Sequence, residues 1–162
     1  KIERFLYLIK YNKIMEKIDK KIINLLLENG RLRYREIANK LNISTSTAFN
    51  KVKRLFNDGT ILRVVPLLSD TVTGLDYEII IQVQVQGDSI KELEKEVSQL
   101  DHVCAVYDIT GDYDMVIIAK FTSKQEIDLF VKKIHGLPAV RKTNTSFVLN
   151  KVKEDFIFKG FR

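Results

Sequence analysis

The sequence contains few of the residues on which disulfides, metal centres and catalytic sites most often depend. Its 162 residues include one cysteine, Cys104, and two histidines, His102 and His135. A lone cysteine cannot form an internal disulfide, and this set does not provide the ligand spacing of a zinc site. We therefore expect no metal and no cofactor. We expect Cys104, which stands in the apolar run VCAVY, to pack in the core.

Long apolar runs and nucleotide-binding or nucleophile motifs are also missing. The longest apolar run near the N-terminus covers residues 5–9, which is too short for a signal-peptide core or a membrane span. No phosphate-binding glycine loop, G-x-S-x-G elbow or G-x-G-x-x-G turn is present. The sequence therefore favours a cytoplasmic protein that is not an enzyme and has no membrane partner.

Charge is distributed unevenly along the chain, which has a net charge of +6. Residues 1–65 contain 15 Lys and Arg and 6 Asp and Glu, a net charge of +9. Residues 66–162 contain 12 Lys and Arg and 15 Asp and Glu, a net charge of −3. A basic module joined to a mildly acidic one indicates a nucleic-acid-binding unit followed by a unit with another task. An enzyme located in the second half would not require the basic first half.

A helix-turn-helix is predicted within residues 33–61. Apolar residues at helical spacing predict one helix over residues 34–41 and an earlier one over residues 15–28. After the turn, Ser44 can cap a further helix over residues 45–57, and Gly59 suits a left-handed C-terminal position. Two short helices joined by a tight turn form the helix-turn-helix unit, and the earlier helix is expected to pack across them.

The helix predicted over residues 45–57 has two distinct faces. Ala48 and Leu55 lie on its apolar side, whereas Ser46, Asn50 and Lys53 lie on the opposite side. Hydroxyl, amide and cationic groups are those that reach base edges and phosphates of double-stranded DNA. The alternative is a solvated helix in an ordinary helical domain. The candidates for reading bases are Thr45, Ser46, Phe49 and Asn50, and Ser44 is included among the DNA-binding residues. The candidates for holding phosphates are Lys51, Lys53, Arg54 and one or more of Arg31, Arg33 and Arg35.

The second half of the chain alternates between strands and helices. Strands are predicted over residues 77–86, 103–110, 115–121 and 140–152, and helices over residues 88–100 and 123–135. Ser123 and Glu126 have the spacing of a capping box at the start of the second helix. The order βαββαβ is the ferredoxin-like arrangement, in which helices cover one face of the sheet and leave the other bare. A second copy is the simplest cover, so a homodimer is predicted.

Three stretches of the sequence together resemble the Lrp/AsnC, or feast/famine, family of transcription regulators. Residues 18–44 (IDKKIINLLLENGRLRYREIANKLNIS) resemble the first two helices of that family, and residues 44–61 (STSTAFNKVKRLFNDGTI) resemble its recognition helix and closing Gly-x-Ile. The GDYD sequence at residues 111–114 resembles the signature turn of its ligand-sensing domain. Many members have adjacent arginines where this chain has Asn50 and Lys51, and a smaller residue in place of Phe49, which bears on the DNA sequence preferred.

The resemblance implies a sequence-specific DNA-binding transcription regulator that is modulated by a small effector such as an amino acid. It also implies a homodimer, with higher oligomers such as an octamer left open. A zwitterionic effector needs an acceptor for its ammonium group and donors for its carboxylate. Gly-Asp is also ordinary hairpin chemistry. The effector-site residues that the resemblance implies are Gly111, Asp112, Tyr113, Asp114, Thr143 and Thr145. The alternative function is an amino-acid-sensing or adaptor module whose helix-turn-helix contacts protein.

The expected fold class is α+β, with an N-terminal three-helix, winged-type helix-turn-helix domain and a C-terminal ferredoxin-like βαββαβ domain. For the N-terminal extension, the alternatives are an amphipathic helix that pairs with its copy in a dimer and a segment without regular structure. The expected boundaries are an N-terminal extension at residues 1–14, a DNA-binding domain at 15–65, a linker at 66–75, a dimerisation and effector-binding domain at 76–153, and a tail at 154–162.

Overall fold

The computed structural model of the chain describes residues 15–87 and 89–154. They form two units, one that extends to Pro66 and another that runs from Leu67 to Glu154. Each unit has its own cluster of buried apolar side chains. The predictions made for residues 1–14 and 155–162 lie outside the described residues.

Three helices make up the described part of the first unit. Helices α2 and α3 have the predicted bounds, and α1 begins at residue 17 instead of residue 15. The helices are α1 (Lys17–Glu28), α2 (Tyr34–Leu41) and α3 (Thr45–Asn57). Their apolar stripes face each other, as the helical spacing of the sequence requires. The shared core contains Ile22, Ile23, Ile37, Ala38, Ala48, Val52 and Leu55.

The turn between α2 and α3 follows the local signals in the sequence. Asn42 has a φ of +54°, a left-handed conformation that asparagine tolerates better than most residues. The Oγ of Ser44 accepts a hydrogen bond from the backbone N–H of Thr47 at 3.0 Å, which confirms the predicted N-terminal cap of α3. Gly59, just after α3, has a φ of +74°, so the predicted left-handed end of the helix is also confirmed.

The second unit is a four-stranded antiparallel sheet with helices on one side. The strand order is β2-β3-β1-β4, and every neighbouring pair is antiparallel. This is the predicted ferredoxin-like arrangement, preceded by one short helix. The elements are α4 (Asp70–Thr73), β1 (Tyr77–Val85), α5 (Ile90–Val97), β2 (Val103–Asp108), β3 (Met115–Phe121), α6 (Lys124–His135) and β4 (Val140–Phe147).

The two faces of the sheet have different environments. Ile79 and Ile81 of β1 and Ile117 of β3 are fully buried against apolar residues of α5 and α6. Ile80 and Ile118 alternate with them and remain partly exposed, because successive side chains of a strand point to opposite faces. We call the surface without helices the open face. It carries Ile80, Gln82, Gln84, Ala105, Tyr107, Val116, Ile118 and Lys120.

Strand β4 is shorter than predicted, ending at Phe147 instead of residue 152. Phe147 pairs with Ile79, near the start of β1. Beyond it, the N–H of Val148 donates one further bond to the carbonyl of Glu78 at 2.9 Å, and β1 then offers no more partners. Helix α5 is likewise shorter, at Ile90–Val97, instead of residues 88–100. The residues after α5 form turns that lead into β2.

The core position predicted for Cys104 is wrong, because its side chain is exposed. The pairing of β2 with β3 shifts register between Val103 and Ala105. Such a bulge inserts one extra residue and changes the direction in which a side chain points. The alternating apolar letters around Cys104 do not reveal this irregularity.

The capping box predicted at α6 forms only in part. The Oγ of Ser123 accepts a bond from the N–H of Glu126 at 3.3 Å. The Glu126 carboxylate accepts its bond from the N–H of Thr122 at 2.9 Å, one residue earlier than the capping box requires. This bond lowers the pKa of Glu126. The sequence therefore located the helix start correctly but misassigned one donor.

Candidate functional site

The exposed face of α3 carries polar side chains in a continuous group. Ser46, Asn50 and Lys53 are exposed, and they lie opposite Ala48 and Val52, which are buried in the core of the first unit. Thr45 is also exposed, in the first turn of the helix. The base-reading candidates are thus on one accessible surface, as the spacing of the sequence predicts.

An aromatic pair supports one flank of this surface. The rings of Tyr34 and Phe49 are in edge-to-face contact, with centroids 5.2 Å apart and planes at 86°, a favourable arrangement for two aromatic side chains. The Nζ of Lys53 lies 5.8 Å from the centre of the Phe49 ring, within cation–π range. Tyr34 was missed by the sequence reasoning, although its position at the start of α2, between two arginines, was a signal.

Ser44 is held by contacts within its own turn. Besides the bond from the Thr47 N–H, its Oγ lies 2.7 Å from the Thr47 hydroxyl and 2.9 Å from the Ser46 hydroxyl. A hydroxyl has one donor and two acceptor positions, so these contacts occupy the capacity of Ser44. The geometry of Ser44 therefore serves to start α3, and the contact of this exposed residue with DNA stays a prediction.

Lys51 and Arg54 project from the flank of α3 that faces α1, beside the polar surface. Both form ion pairs with Glu16 and Asp19: the Arg54 Nη1 lies 3.3 Å from the Glu16 Oε1, and the Lys51 Nζ lies 3.6 Å from the Asp19 Oδ1. Lys51 also contacts Glu16, and Arg54 also contacts Asp19. Both cations are thus already paired with carboxylates, at a site where the Arg54 side chain is 37% and the Glu16 side chain 56% exposed. The geometry favours this pairing, and the phosphate contacts of these two residues stay a prediction.

The pKa values of this cluster follow from the pairing. The hydrogen bond from Lys51 is the main cause that lowers the pKa of Glu16, and Arg54 acts in the same direction. Burial acts to lower the pKa of Arg54, but the bond to Glu16 and the charge of Asp19 outweigh burial and raise it. The acidic partners were also missed by the sequence reasoning. Asp19 lies beside the apolar stripe of α1, and a carboxylate there signals a buried partner.

Three arginines precede or begin α2 and remain accessible. Arg31, Arg33 and Arg35 are all exposed. Within residues 15–87 and 89–154, none of their guanidinium groups forms an ion pair. Because the ring of Tyr34 in the same stretch touches Phe49 of α3, the start of α2 adjoins the exposed face of α3. These arginines therefore extend the accessible basic surface that Lys53 begins.

In the second unit, the GDYD turn connects β2 to β3 and is tied to β1. Gly111 has a φ of +123°, which glycine alone adopts without strain. The Asp114 Oδ2 accepts a bond from the N–H of Val85 at 2.8 Å, and the Asp114 N–H donates to the Val83 carbonyl at 3.0 Å. Asp112 is exposed. Asp114 thus holds the end of β1 with one carboxylate oxygen, whereas Asp112 is more accessible to a ligand, and the role of either as ammonium acceptor stays a prediction.

The turn also reaches the strand that carries the other predicted effector residues. The Nζ of Lys142 lies 5.9 Å from the centre of the Tyr113 ring. Thr143 and Thr145 are partly buried, and they pair with Val83 and Ile81 of β1. The structure therefore brings Tyr113 to Lys142 near the start of β4, whereas Thr143 and Thr145 project from the opposite face of that strand, the face that carries the buried Val83 and Ile81. Lys142 was missed by the sequence reasoning.

Two other properties bear on the kind of site that the described residues offer. No group of three or more His, Cys, Asp or Glu side chains in residues 15–87 and 89–154 is arranged to hold a metal ion. Among the helices described, none has the length and apolar character needed to cross a membrane.

Comparison with known proteins agrees with both units. A family model described as a winged helix-turn-helix DNA-binding domain matches residues 15–61, and one described as the Lrp/AsnC ligand binding domain matches residues 78–158. An HTH-type transcriptional regulator of Pyrococcus furiosus is 42% identical over 142 residues, which cover 88% of this chain and 96% of that protein. The chain belongs to the Lrp/AsnC family of transcription regulators.

More distant relatives support the same family and fold. The HTH-type transcriptional regulator FL11 of Pyrococcus horikoshii is 29% identical, over 86% of this chain and 93% of its own. A transcriptional regulator of Neisseria meningitidis, solved as a complex with L-Met, has a TM-score of 0.82 at 26% identity, over 89% and 96% of the two chains. Escherichia coli AsnC shares the fold, with a TM-score of 0.80 at 23% identity over 88% and 97%.

This Lrp/AsnC protein is a DNA-binding transcription regulator with a C-terminal ligand-binding domain. The exposed face of α3 belongs to its DNA-binding domain, and the turn at residues 111–114 belongs to its ligand-binding domain.

Proposed function

We propose that this regulator reads double-stranded DNA with the exposed face of α3. The observation that carries the proposal is the orientation of Ser46, Asn50 and Lys53, which point outward while the opposite side of α3 is buried. A helix of this kind enters the major groove and presents its side chains to base edges. The residues proposed to contact bases are Thr45, Ser46, Phe49 and Asn50, and those proposed to contact phosphates are Arg31, Arg33, Arg35 and Lys53.

The chemistry of these side chains suits distinct tasks in the groove. The Asn50 amide can form two hydrogen bonds with adenine, and the half-exposed Phe49 ring can contact a thymine methyl group. Lys53 and the arginines carry charge that phosphates attract, without regard to sequence. Asn50 and Phe49 are therefore expected to set sequence preference, and the cations to set overall affinity.

Fluorescence anisotropy of labelled duplexes over a salt series tests this assignment. The duplexes are one enriched by in vitro selection from a random pool with the full chain, and a scrambled version. Lys53→Ala should weaken binding to both duplexes alike and reduce the slope of log affinity against log salt by about one. Lys21→Ala, which removes an exposed cation of α1, is the control and should leave the slope nearly unchanged.

Asn50→Ala should instead reduce the difference in affinity between the two duplexes and leave the slope unchanged, since an amide contacts bases and carries no charge. If no duplex is enriched and the chain binds neither at low salt, DNA reading by α3 is wrong. The alternative of a sensing or adaptor module would then be favoured.

We also propose that an amino acid binds at the turn of residues 111–114 and the adjoining part of β4. Asp112 is exposed and can accept the ammonium group, and the Gly111 backbone, Thr143 and Thr145 can donate to the carboxylate. Lys142, which lies beside Tyr113, projects from the opposite face of β4 to Thr143 and Thr145 and is not part of this set. The relative from Neisseria meningitidis was solved as a complex with L-Met, which supports an amino acid as the ligand class.

Isothermal titration of the full chain with L-methionine and the other common amino acids tests this site. Asp112→Ala should abolish the binding heat and any effect of the amino acid on DNA affinity, while basal DNA binding stays unchanged. Asp108→Ala, which removes another exposed carboxylate of the same unit, should retain the response. A response that survives in Asp112→Ala would exclude this turn as the site.

We further propose that two copies associate through the open face of the sheet, with larger assemblies such as an octamer built from dimers. Ile80, Val116 and Ile118 lie there only partly covered, and a second copy of this face would remove them from water. An effector alters DNA binding only if its affinity differs between two states of such an assembly. We expect no catalytic activity, and we place the action of the regulator in the cytoplasm, where its DNA partner lies.

A further inference from the structure

Of the three cations on α3, only Lys53 belongs to the exposed polar face. Lys51 and Arg54 are separated by three positions and therefore project from the same flank of the helix. Both converge on Glu16 and Asp19, which stand at the start of α1. We call these four side chains the α1–α3 ion cluster. They connect α3 to α1, which carries none of the proposed base contacts.

Asp19 is the buried member of this cluster. It is 2% exposed and is the one buried polar or charged residue among residues 15–69, 72–87 and 89–154. Its neighbours on α1, Ile22 and Ile23, belong to the apolar core. A carboxylate in this position needs a charged partner, and Arg54 provides it. The Asp19 Oδ1 has the Lys51 Nζ at 3.6 Å, beyond hydrogen-bond distance, and the Arg54 Nε is buried without a hydrogen-bond partner in the described residues.

Because these buried polar atoms lack hydrogen bonds, we infer that the Asp19–Arg54 pair does not serve mainly to stabilise the fold. Buried ion pairs are often no better for stability than apolar side chains of the same size, but they can restrict a structure to one arrangement. An apolar stripe alone allows a helix to roll about its axis with small loss of contact. The α1–α3 ion cluster holds one flank of α3, and the Tyr34–Phe49 pair holds the opposite flank.

We propose that Glu16 and Asp19 are positioning residues for DNA reading, which hold α3 through Lys51 and Arg54 at the rotation that presents Ser46, Asn50 and Lys53 to the groove. This inference rests on the proposed use of α3 in DNA binding. Lys51 and Arg54 then contribute to sequence preference through geometry, and their charges are neutralised within the protein. Tyr34 supports the same rotation from the other flank.

The proposal makes an unusual prediction for the carboxylates. Removal of a negative charge near a DNA-binding surface ordinarily strengthens binding to any duplex, because repulsion of phosphates is lost. If Asp19 positions α3, Asp19→Asn instead weakens binding to the selected duplex, because the neutral amide cannot hold the Arg54 guanidinium by charge. The two effects therefore have opposite signs for the preferred sequence.

The experiment uses the full chain, the selected duplex and its scrambled version, with anisotropy over a salt series and a thermal melt of each variant. We expect Asp19→Asn and Arg54→Ala each to reduce the ratio of the two affinities at least tenfold, with the salt slope unchanged. The double variant should lose little more than either single variant, since the two residues act through one contact. Lys53→Ala is the matched cation on the same helix, and it should lower the slope without changing the ratio.

Glu16→Gln provides a variant that leaves the core closed, because the Glu16 side chain is 56% exposed. It should reduce the affinity ratio by a smaller factor of about threefold, which corresponds to about 0.7 kcal/mol, half of the roughly 1.4 kcal/mol of a tenfold change. If Asp19→Asn melts below the assay temperature, the affinity ratio of Glu16→Gln tests whether the carboxylates position α3.

The proposal is overturned if Arg54→Ala lowers the salt slope as Lys53→Ala does, which would make Arg54 a phosphate contact. It is also overturned if Glu16→Gln or Asp19→Asn binds both duplexes more tightly with an unchanged ratio. These results differ from failure of the proposed function, in which the wild-type chain itself would not distinguish the selected duplex from the scrambled one.

Discussion

Asp112 and Asp114 show how strongly environment decides the role of a residue. They are the same residue type in one turn, and the sequence offered both as acceptors for an effector. Asp114 is partly buried and accepts a bond from the Val85 N–H at 2.8 Å, whereas Asp112 is exposed. Asp114 therefore holds the end of β1, and Asp112 remains accessible for a ligand.

Substitution of these two carboxylates should have different effects on stability. Asp114→Ala removes a hydrogen bond to a charged acceptor and leaves the Val85 N–H without its partner, so we expect a loss of about 2 kcal/mol in the free energy of unfolding of the second unit. Asp112→Ala should change it by less than about 0.5 kcal/mol. Urea unfolding followed by circular dichroism measures both. Equal stability of the two variants would show that Asp114 has no structural role.

At the scale of the element, α3 is bounded by residues that satisfy the requirements of its backbone. Ser44 satisfies a free N–H group at its start, and Gly59 takes the left-handed conformation just after its end. Between them, the apolar positions at helical spacing decide which side is buried. The exposed face of α3 is consequently a direct result of local sequence.

Removal of the cap should destabilise α3 specifically. Ser44→Ala leaves the Thr47 N–H without its side-chain acceptor, which costs about 1 kcal/mol in the free energy of unfolding of the first unit. Ser44→Asp retains an acceptor at the same position and should restore most of this loss. Thermal melts of the two variants against wild type provide the comparison. A melting temperature of Ser44→Ala equal to that of wild type would contradict the role assigned to the cap.

The pairing of α1 with α3 should also make the first unit sensitive to acid. The pKa of Glu16 is lowered from its ordinary value of 4.5 by Lys51 and Arg54. A carboxylate whose folded-state pKa is lowered contributes stability above its ordinary pKa, and this contribution is lost as the pH falls through the folded-state value. Between about pH 6 and about pH 3, wild type should therefore lose more thermal stability than Glu16→Gln. Parallel curves for the two proteins would show that Glu16 contributes nothing by its charge.

At the scale of the whole molecule, the open face of the sheet is a surface of the second unit that mixes apolar and polar side chains. Ile80, Val116 and Ile118 lie on it, opposite the face that the helices bury. A sheet with one apolar surface in water is a surface for association. The proposed homodimer follows from this exposure.

A charged residue in the middle of the open face should prevent association. We expect wild type to sediment as a dimer or a larger species, and Ile118→Lys to shift the population to monomer, because a buried unpaired ammonium group opposes the interface. Leu129→Lys is the matched control, since Leu129 of α6 is 68% exposed outside the open face. Sedimentation velocity distinguishes these outcomes. An Ile118→Lys protein that remains dimeric would exclude the open face as the interface.

The sequence by itself determined the elements whose ends are set by local chemistry. Helices α2 and α3 and strand β3 have the predicted bounds, because capping hydroxyls, left-handed glycines and the period of apolar residues act between near neighbours in the chain. The order of these elements was sufficient for the ferredoxin-like topology, and the outward orientation of Ser46, Asn50 and Lys53 followed from helical spacing alone.

Tertiary structure decided which cations and carboxylates remain accessible. In the sequence, Lys51 and Arg54 belong to a basic helix. In the structure, Glu16 and Asp19 at the start of α1 form ion pairs with them. In the sequence, Asp114 is a carboxylate in a loop. In the structure, it accepts a hydrogen bond from the N–H of Val85 at the end of β1. The physical reason is the same in each case: a charged side chain takes its role from partners distant in sequence, and only folding brings those partners within a few ångströms.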